Sequence, residues 1–117
     1  MIDPMIYVGL PTSQQNFISK NIESVFEAIF KTMGVSKSKL IGRSHFPLLV
    51  DSRIFFAWVL KNKFHLTSAQ IAKELHRERT TISYYFEVFD ARLETEPTFR
   101  RNHEAVLAEL KNSKSNY

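Results

Sequence analysis

Apolar residues recur every three to four positions along most of the chain, a spacing typical of amphipathic α-helices. The first such stretch covers residues 12–33 and stops before Gly34, a residue type that often follows the end of a helix. No run alternates apolar and polar residues long enough to form a strand. The later stretches predict helices at about 36–41, 48–63, 67–75, 79–93 and 96–111. The pattern therefore predicts an all-α bundle of five or six helices.

The 117 residues are enough for one domain built around one hydrophobic core. We expect a single domain over 1–117, with an extended N-terminal arm at 1–11, which holds two prolines, and a frayed polar tail at 112–117. The helix at 48–63 is apolar nearly all round, which predicts that it lies at the centre of the bundle.

The composition excludes several classes of protein. The chain has no Cys, which excludes a disulfide scaffold, a thiol nucleophile and a zinc site built on Cys. Its three glycines are far apart, so no Gly-rich loop can enclose phosphates. The longest apolar run, Ile54–Leu60, is too short to cross a membrane. With no catalytic constellation or ligand cluster in the sequence, we expect a cytoplasmic protein that is not an enzyme and uses no metal or cofactor.

The positive charge is concentrated in the middle of the chain. The net charge is +4, yet residues 35–92 hold ten basic and five acidic side chains, while the remainder is slightly acidic. An anionic partner should therefore bind within this middle segment.

The segment from Thr67 to Phe86 has the layout of a helix-turn-helix. Thr67 and Gln70 have the spacing of a capping box that opens a short helix, residues 76–78 form a break, and a second helix begins near Arg79. In this motif the second helix lies in the major groove of DNA, and its first residues contact bases and phosphates. Arg can form two hydrogen bonds with guanine, and Thr can contact a thymine methyl group. The pattern indicates a helix-turn-helix that binds duplex DNA.

At these residues the sequence resembles the C-terminal duplex-DNA-binding domain of the bacterial replication initiator DnaA. The matching residues are Ile71-Ala72, followed by Arg77-Glu78-Arg79-Thr80-Thr81-Ile82 at the start of the recognition helix. Upstream, Leu40-Ile41, the basic residues Arg43-Ser44-His45 and the helix from Arg53 to Val59 follow in the family's order. The resemblance covers roughly residues 20–95, with its helix-turn-helix core at 35–93. It implies a Trp-repressor-like fold, a role in replication or transcription and a basic loop that enters the minor groove.

The sequence also departs from the family pattern. The turn is one residue shorter, His76 stands where the family has Gly, and Arg79 replaces the His of the motif. Phe46-Pro47 makes the basic loop less basic. These departures affect which base sequence of DNA the protein would prefer.

Ten side chains are predicted to contact DNA. The start of the recognition helix carries the most specific ones, and the loop residues take their role from the family resemblance. Tyr84 has the competing interpretation of partial burial, and the others that of solvated surface. The ten are Arg77, Arg79, Thr80, Thr81, Arg43, His45, Thr67, Ser83, Tyr84 and Lys73.

A second hypothesis is a protein-interaction module on a helix-turn-helix fold that no longer reads DNA sequence. The shortened turn and the altered loop motivate it. Under the DNA-binding hypothesis, one such module would bind weakly alone. The arm at 1–11 and the first helix are therefore candidates for contact with a second copy of the chain or with a protein partner.

Overall fold

The computed structural model describes residues 12–114, and the side chains of residues 18–112. Six helices form: α1 (Thr12–Met33), α2 (Lys37–Ile41), α3 (Pro47–Phe64), α4 (Ser68–Leu75), α5 (Arg79–Thr95) and α6 (Pro97–Lys114). The predicted all-α architecture is confirmed. Within the described part of the chain, no helix is long and apolar enough to span a membrane.

The two predicted terminal segments fall largely outside this range. The arm at 1–11 lies outside the described residues, as do the last three residues of the tail predicted at 112–117. Helix α6 continues to Lys114, past the end predicted at residue 111.

Helix α3 is the centre of the bundle, as its apolar character predicts. It packs against α1, α4, α5 and α6 as well as the short α2. A helix that is apolar all round must be covered on every side. Its buried residues are Leu49, Ser52, Arg53, Ile54, Phe55, Phe56, Ala57, Val59 and Leu60.

Helix α3 begins at Pro47, which the sequence pattern had assigned to the preceding loop. Proline suits the first helical position because the amide it lacks would have no acceptor within the helix. Phe46, which precedes it, takes the extended backbone that a following proline favours.

A three-residue turn joins α4 to α5, and these two helices pack against each other. The predicted capping box opens α4: the Gln70 amide donates to Thr67 Oγ1 at 3.1 Å, and the Thr67 amide donates to Gln70 Oε1 at 2.7 Å. His76 closes α4 in the left-handed region, with φ of 56°. Few residues other than Gly adopt this conformation readily. His76 therefore occupies a position that would suit Gly better.

An aromatic cluster fills the space between α3, α5 and α6. We define it as Phe55, Trp58, Phe89, Phe99 and His103. The rings of Trp58 and Phe89 stack with centroids 5.2 Å apart, and the His103 ring meets Trp58 edge-on at 4.6 Å. Such contacts between rings stabilise a core beyond the effect of burial alone.

Candidate nucleic-acid interface

The basic loop, residues 42–46, connects α2 to α3. Its backbone accepts hydrogen bonds from the buried Arg53 of α3. The Arg53 side chain is 1% exposed, and its guanidinium donates to four backbone carbonyls. Nε donates to Leu40 O at 2.7 Å and Nη1 to Ser44 O at 2.7 Å, while Nη2 lies 3.1 Å from both Lys39 O and Gly42 O. The conformation of the loop is thus tied to the central helix.

Helix α2 explains why an arginine fits this position. The last carbonyls of a helix have no intrahelical donor, and the partial negative charge at that end attracts a cation. Arg53 supplies both the donors and the charge to a helix of only five residues. Burial lowers the pKa of its guanidinium, and the nearby positive charge of Arg77 lowers it further.

Arg77 links the turn before α5 to the same loop. Its Nη1 donates to Ile41 O at 3.4 Å, Leu75 O at 3.1 Å and His76 O at 3.2 Å. Its Nη2 donates to Gly42 O, the carbonyl that Arg53 also contacts. The structure therefore engages both terminal nitrogens of Arg77 within the protein. A contact of Arg77 with a base through the same nitrogens would compete with these hydrogen bonds.

The exposed surface at the start of α5 carries four of the predicted residues. Arg79 and Thr80 are exposed, and one turn later Ser83 and Tyr84 are exposed as well, Tyr84 by 57%. Residues three and four positions apart lie on the same face of a helix, so these four side chains share one face. We call Arg79, Thr80, Ser83 and Tyr84 the α5 face.

The first amides of α5 lie beside this face. Thr81, one of the predicted contacts, is half-buried behind it. Glu78 is the N-cap residue, and its side chain makes no capping hydrogen bond to the helix. The first amides of a helix lack intrahelical acceptors and attract anions.

The remaining predicted residues differ in their availability. Arg43 and His45 are exposed in the basic loop, and Lys73 is exposed on α4. Thr67 is exposed too, but its hydroxyl caps α4.

Part of the positive charge of residues 35–92 serves contacts within the protein. Lys37 Nζ lies 3.0 Å from Glu23 Oε1 and 4.9 Å from the centre of the Phe26 ring, which ties α2 to α1. Lys61 Nζ lies 4.3 Å from the centre of the Phe86 ring. The count of basic residues therefore overstates the number of basic side chains without a contact inside the protein.

Two features of this region have no counterpart among the predicted site residues. One is the role of Arg53, for which the only sequence signal is a single charge at the edge of an apolar run. The other is the exposure of Phe46 and Leu48, two large apolar side chains beside the basic loop. An apolar residue next to a helix start gives no sign of which way it will face.

A small cleft between α1, α2 and α4 is lined by the half-buried Glu74, whose carboxyl oxygen Oε1 is fully buried. Its volume is about 140 Å³, and Lys37 and His76 are among its lining residues. Burial raises the pKa of Glu74, the Lys37 charge acts in the opposite direction, and Oε1 has no hydrogen-bond partner. Over the described residues, no group of three or more potential ligand side chains is placed to hold a metal ion.

A scan against protein-family models found no match, and searches of curated proteins and of solved structures likewise found none similar to this chain.

Proposed function

We propose that this protein binds duplex DNA through the α5 face and the basic loop, in the manner of the DnaA-type domain that its sequence resembles. The observation that carries the proposal is the Arg77 side chain. It joins the turn before α5 to Ile41 and Gly42, so the two segments lie within the reach of one arginine. Both segments present exposed basic residues, Arg79 from one and Arg43 from the other.

In the proposed complex, α5 enters the major groove with its first turn towards the bases. Arg79 is suited to a two-pronged contact with guanine, and Thr80 to a thymine methyl group or a phosphate. Ser83 and Tyr84 continue the same face towards the DNA backbone. The start of α5, where no side chain of the N-cap residue Glu78 caps the helix, favours a phosphate at this position.

The basic loop lies against the neighbouring minor groove in this proposal. Arg43 and His45 are exposed there, and positively charged side chains are attracted to the strong negative potential of a narrow minor groove. Arg53 and Arg77 act as positioning residues, because their donors hold the loop carbonyls in place. The loop is thereby ordered before DNA arrives, which reduces the entropy lost on binding.

The direct test is fluorescence anisotropy with a short mixed-sequence duplex at about 50 and 200 mM salt, a range over which phosphate-dependent binding weakens steeply. We expect Arg79→Ala to reduce affinity about tenfold, the loss of one good base or phosphate contact. The matched control is Arg101→Ala, which removes the same charge from an exposed position on α6. Because α6 begins where α5 ends, about 25 Å from the α5 start, this control should leave the affinity nearly unchanged.

Two outcomes would contradict the proposal. One is duplex affinity that does not depend on salt, and the other is an equal effect of Arg79→Ala and Arg101→Ala. The first result would favour the protein-interaction hypothesis, and the second would mean that the α5 face has no special role in DNA binding. If Arg79→Ala is selectively impaired, selection of bound sequences from a random duplex pool then identifies the preferred site.

A further inference from the structure

The most exposed large apolar side chains of the basic region are Phe46, 73% exposed, and Leu48, 49% exposed. Pro47 between them is exposed too. Scattered single apolar residues are common on protein surfaces, but a contiguous apolar group usually marks a contact site. Here the three apolar residues are consecutive and all line one groove at the start of α3, and we call them the apolar projection.

The backbone beneath this projection is firmly held. Phe46 O accepts hydrogen bonds from the amides of Leu49 at 2.9 Å and Val50 at 3.0 Å. The Pro47 ring restricts its own φ angle, and Ser44 O is held by Arg53 at 2.7 Å. The exposed Phe46 ring is therefore presented from an ordered helix start, so little backbone entropy is lost when it contacts a partner.

The surroundings of the projection are basic. An open groove of about 620 Å³ is lined by Phe46 and Leu48 together with Lys39 and Arg43, and no acidic side chain of the described residues lines it. His45 is exposed in the same loop. The apolar projection thus lies among cationic and neutral groups. A complementary partner has apolar surface between anionic groups, and stacked bases between phosphates fit that description.

We propose that Phe46 and Leu48 form an apolar wedge that inserts between base pairs from the minor groove and kinks the duplex. This inference rests on the proposed DNA-binding function and adds a mechanical effect to it. Apolar side chains that separate base steps bend DNA by about 20 to 90° towards the major groove. Lys39 and Arg43 contact the flanking phosphates and offset part of the cost of unstacking. Flexible pyrimidine–purine steps would be preferred, because they kink most easily.

The experiment measures bending separately from binding. Ligase-catalysed cyclisation of a mixed-sequence duplex of about 110 bp, which is shorter than the persistence length of DNA, reports bending, and anisotropy on the same duplex reports affinity. We expect the protein to raise the cyclisation rate about tenfold or more, since a kink strongly increases the encounter of the ends. Phe46→Ala combined with Leu48→Ala should abolish this increase while retaining salt-dependent binding.

Matched variants separate the wedge from general effects. Phe30→Ala removes another exposed phenylalanine, 56% exposed on α1 and outside the groove lining, and should leave cyclisation unchanged. Phe46→Leu keeps an apolar wedge residue and should retain much of the effect. Circular dichroism establishes that each variant keeps its helix content.

Each outcome is decisive. Salt-dependent binding without enhanced cyclisation, or enhanced cyclisation that survives the Phe46 and Leu48 double substitution, overturns the wedge and leaves DNA binding intact. Absence of duplex binding overturns the proposed function, and the wedge with it. The protein could also self-associate without DNA, seen as a sedimentation coefficient above that of a monomer. If the double variant sediments as a monomer, a second copy of the chain occupies this surface, and the wedge is overturned.

Discussion

The basic loop and the aromatic cluster each pack against one buried polar side chain, and the two side chains differ in how far their polar atoms are hydrogen-bonded. Beneath the loop, the Arg53 guanidinium meets four backbone carbonyls. In the cluster, the buried His103 ring has Nδ1 without a hydrogen-bond partner and aromatic rings on its sides.

This difference separates two sources of order. None of the side chains of the loop is buried, so its conformation depends on hydrogen bonds that Arg53 and Arg77 provide. The cluster gains its order from burial and ring contacts, and the neutral imidazole is tolerated there as a nearly apolar ring. Charge is thus required in the first region, whereas in the second it is unfavourable.

The largest expected effect comes from Arg53→Met, which keeps the apolar stem and removes the guanidinium. At least Leu40 O and Ser44 O lose their donor while remaining partly or fully shielded from water. Leaving two such groups unsatisfied should lower the free energy of unfolding by about 3 kcal/mol. Urea denaturation followed by circular dichroism measures it.

The control for Arg53 is Arg43→Met, which removes an exposed charge from the loop itself. This change should alter stability by less than about 0.5 kcal/mol. Equal stability of the two variants would mean that the loop does not depend on the buried guanidinium.

An intermediate effect is expected at His103 and depends on pH. Burial, and to a smaller extent the Lys63 charge, lower the pKa of His103 from an ordinary 6.5 to about 4. The unfolded chain therefore binds the proton more tightly, so this contribution to stability is complete above pH 6.5 and is lost as pH falls towards 4. Between pH 8 and pH 5 the loss should be about 2 kcal/mol.

His103→Leu should remove this loss, because leucine cannot be protonated and fills a similar volume. Urea denaturation of both proteins at pH 8 and pH 5 measures the difference, and the titration of other groups, including Glu74, cancels in the comparison. The same decline with acid in both proteins would show that His103 is not the source.

The smallest effect is expected at His76, in the turn that Arg77 ties to the loop. His76 has φ of 56°, a conformation that glycine adopts without steric cost. His76→Gly should therefore raise the free energy of unfolding by about 0.5 to 1 kcal/mol, seen as a higher melting temperature. His76→Ala retains the side-chain Cβ and should bring no gain. If alanine stabilises as much as glycine, backbone strain is not the cause.

Local patterns in the sequence predicted much of the fold. The pair Thr67 and Gln70 predicted the start of α4, and the residues that form a capping box are only three positions apart. The apolar character of 48–63 predicted a central helix, and α3 is buried accordingly. The first residue of α3 differed, because proline is compatible with both the end of a loop and the first turn of a helix.

The candidate site was less accessible to such reasoning. The basic residues at 77 and 79 look alike in sequence, yet Arg79 is exposed while Arg77 donates to carbonyls 35 and 36 positions earlier in the chain. The outward direction of Phe46 likewise depends on how α3 seats against the rest of the bundle.

By itself, then, the sequence determined the helical character of the chain, most of its helix boundaries and the location of its excess positive charge. These follow from periodicity and capping, which operate over a few neighbouring residues. Only the tertiary structure decided which arginines hold the protein together and which face outward. A guanidinium donates to whichever unsatisfied carbonyls the folded chain brings near it. The carbonyl of Gly42, which accepts from both Arg53 and Arg77, is distant from both arginines in sequence.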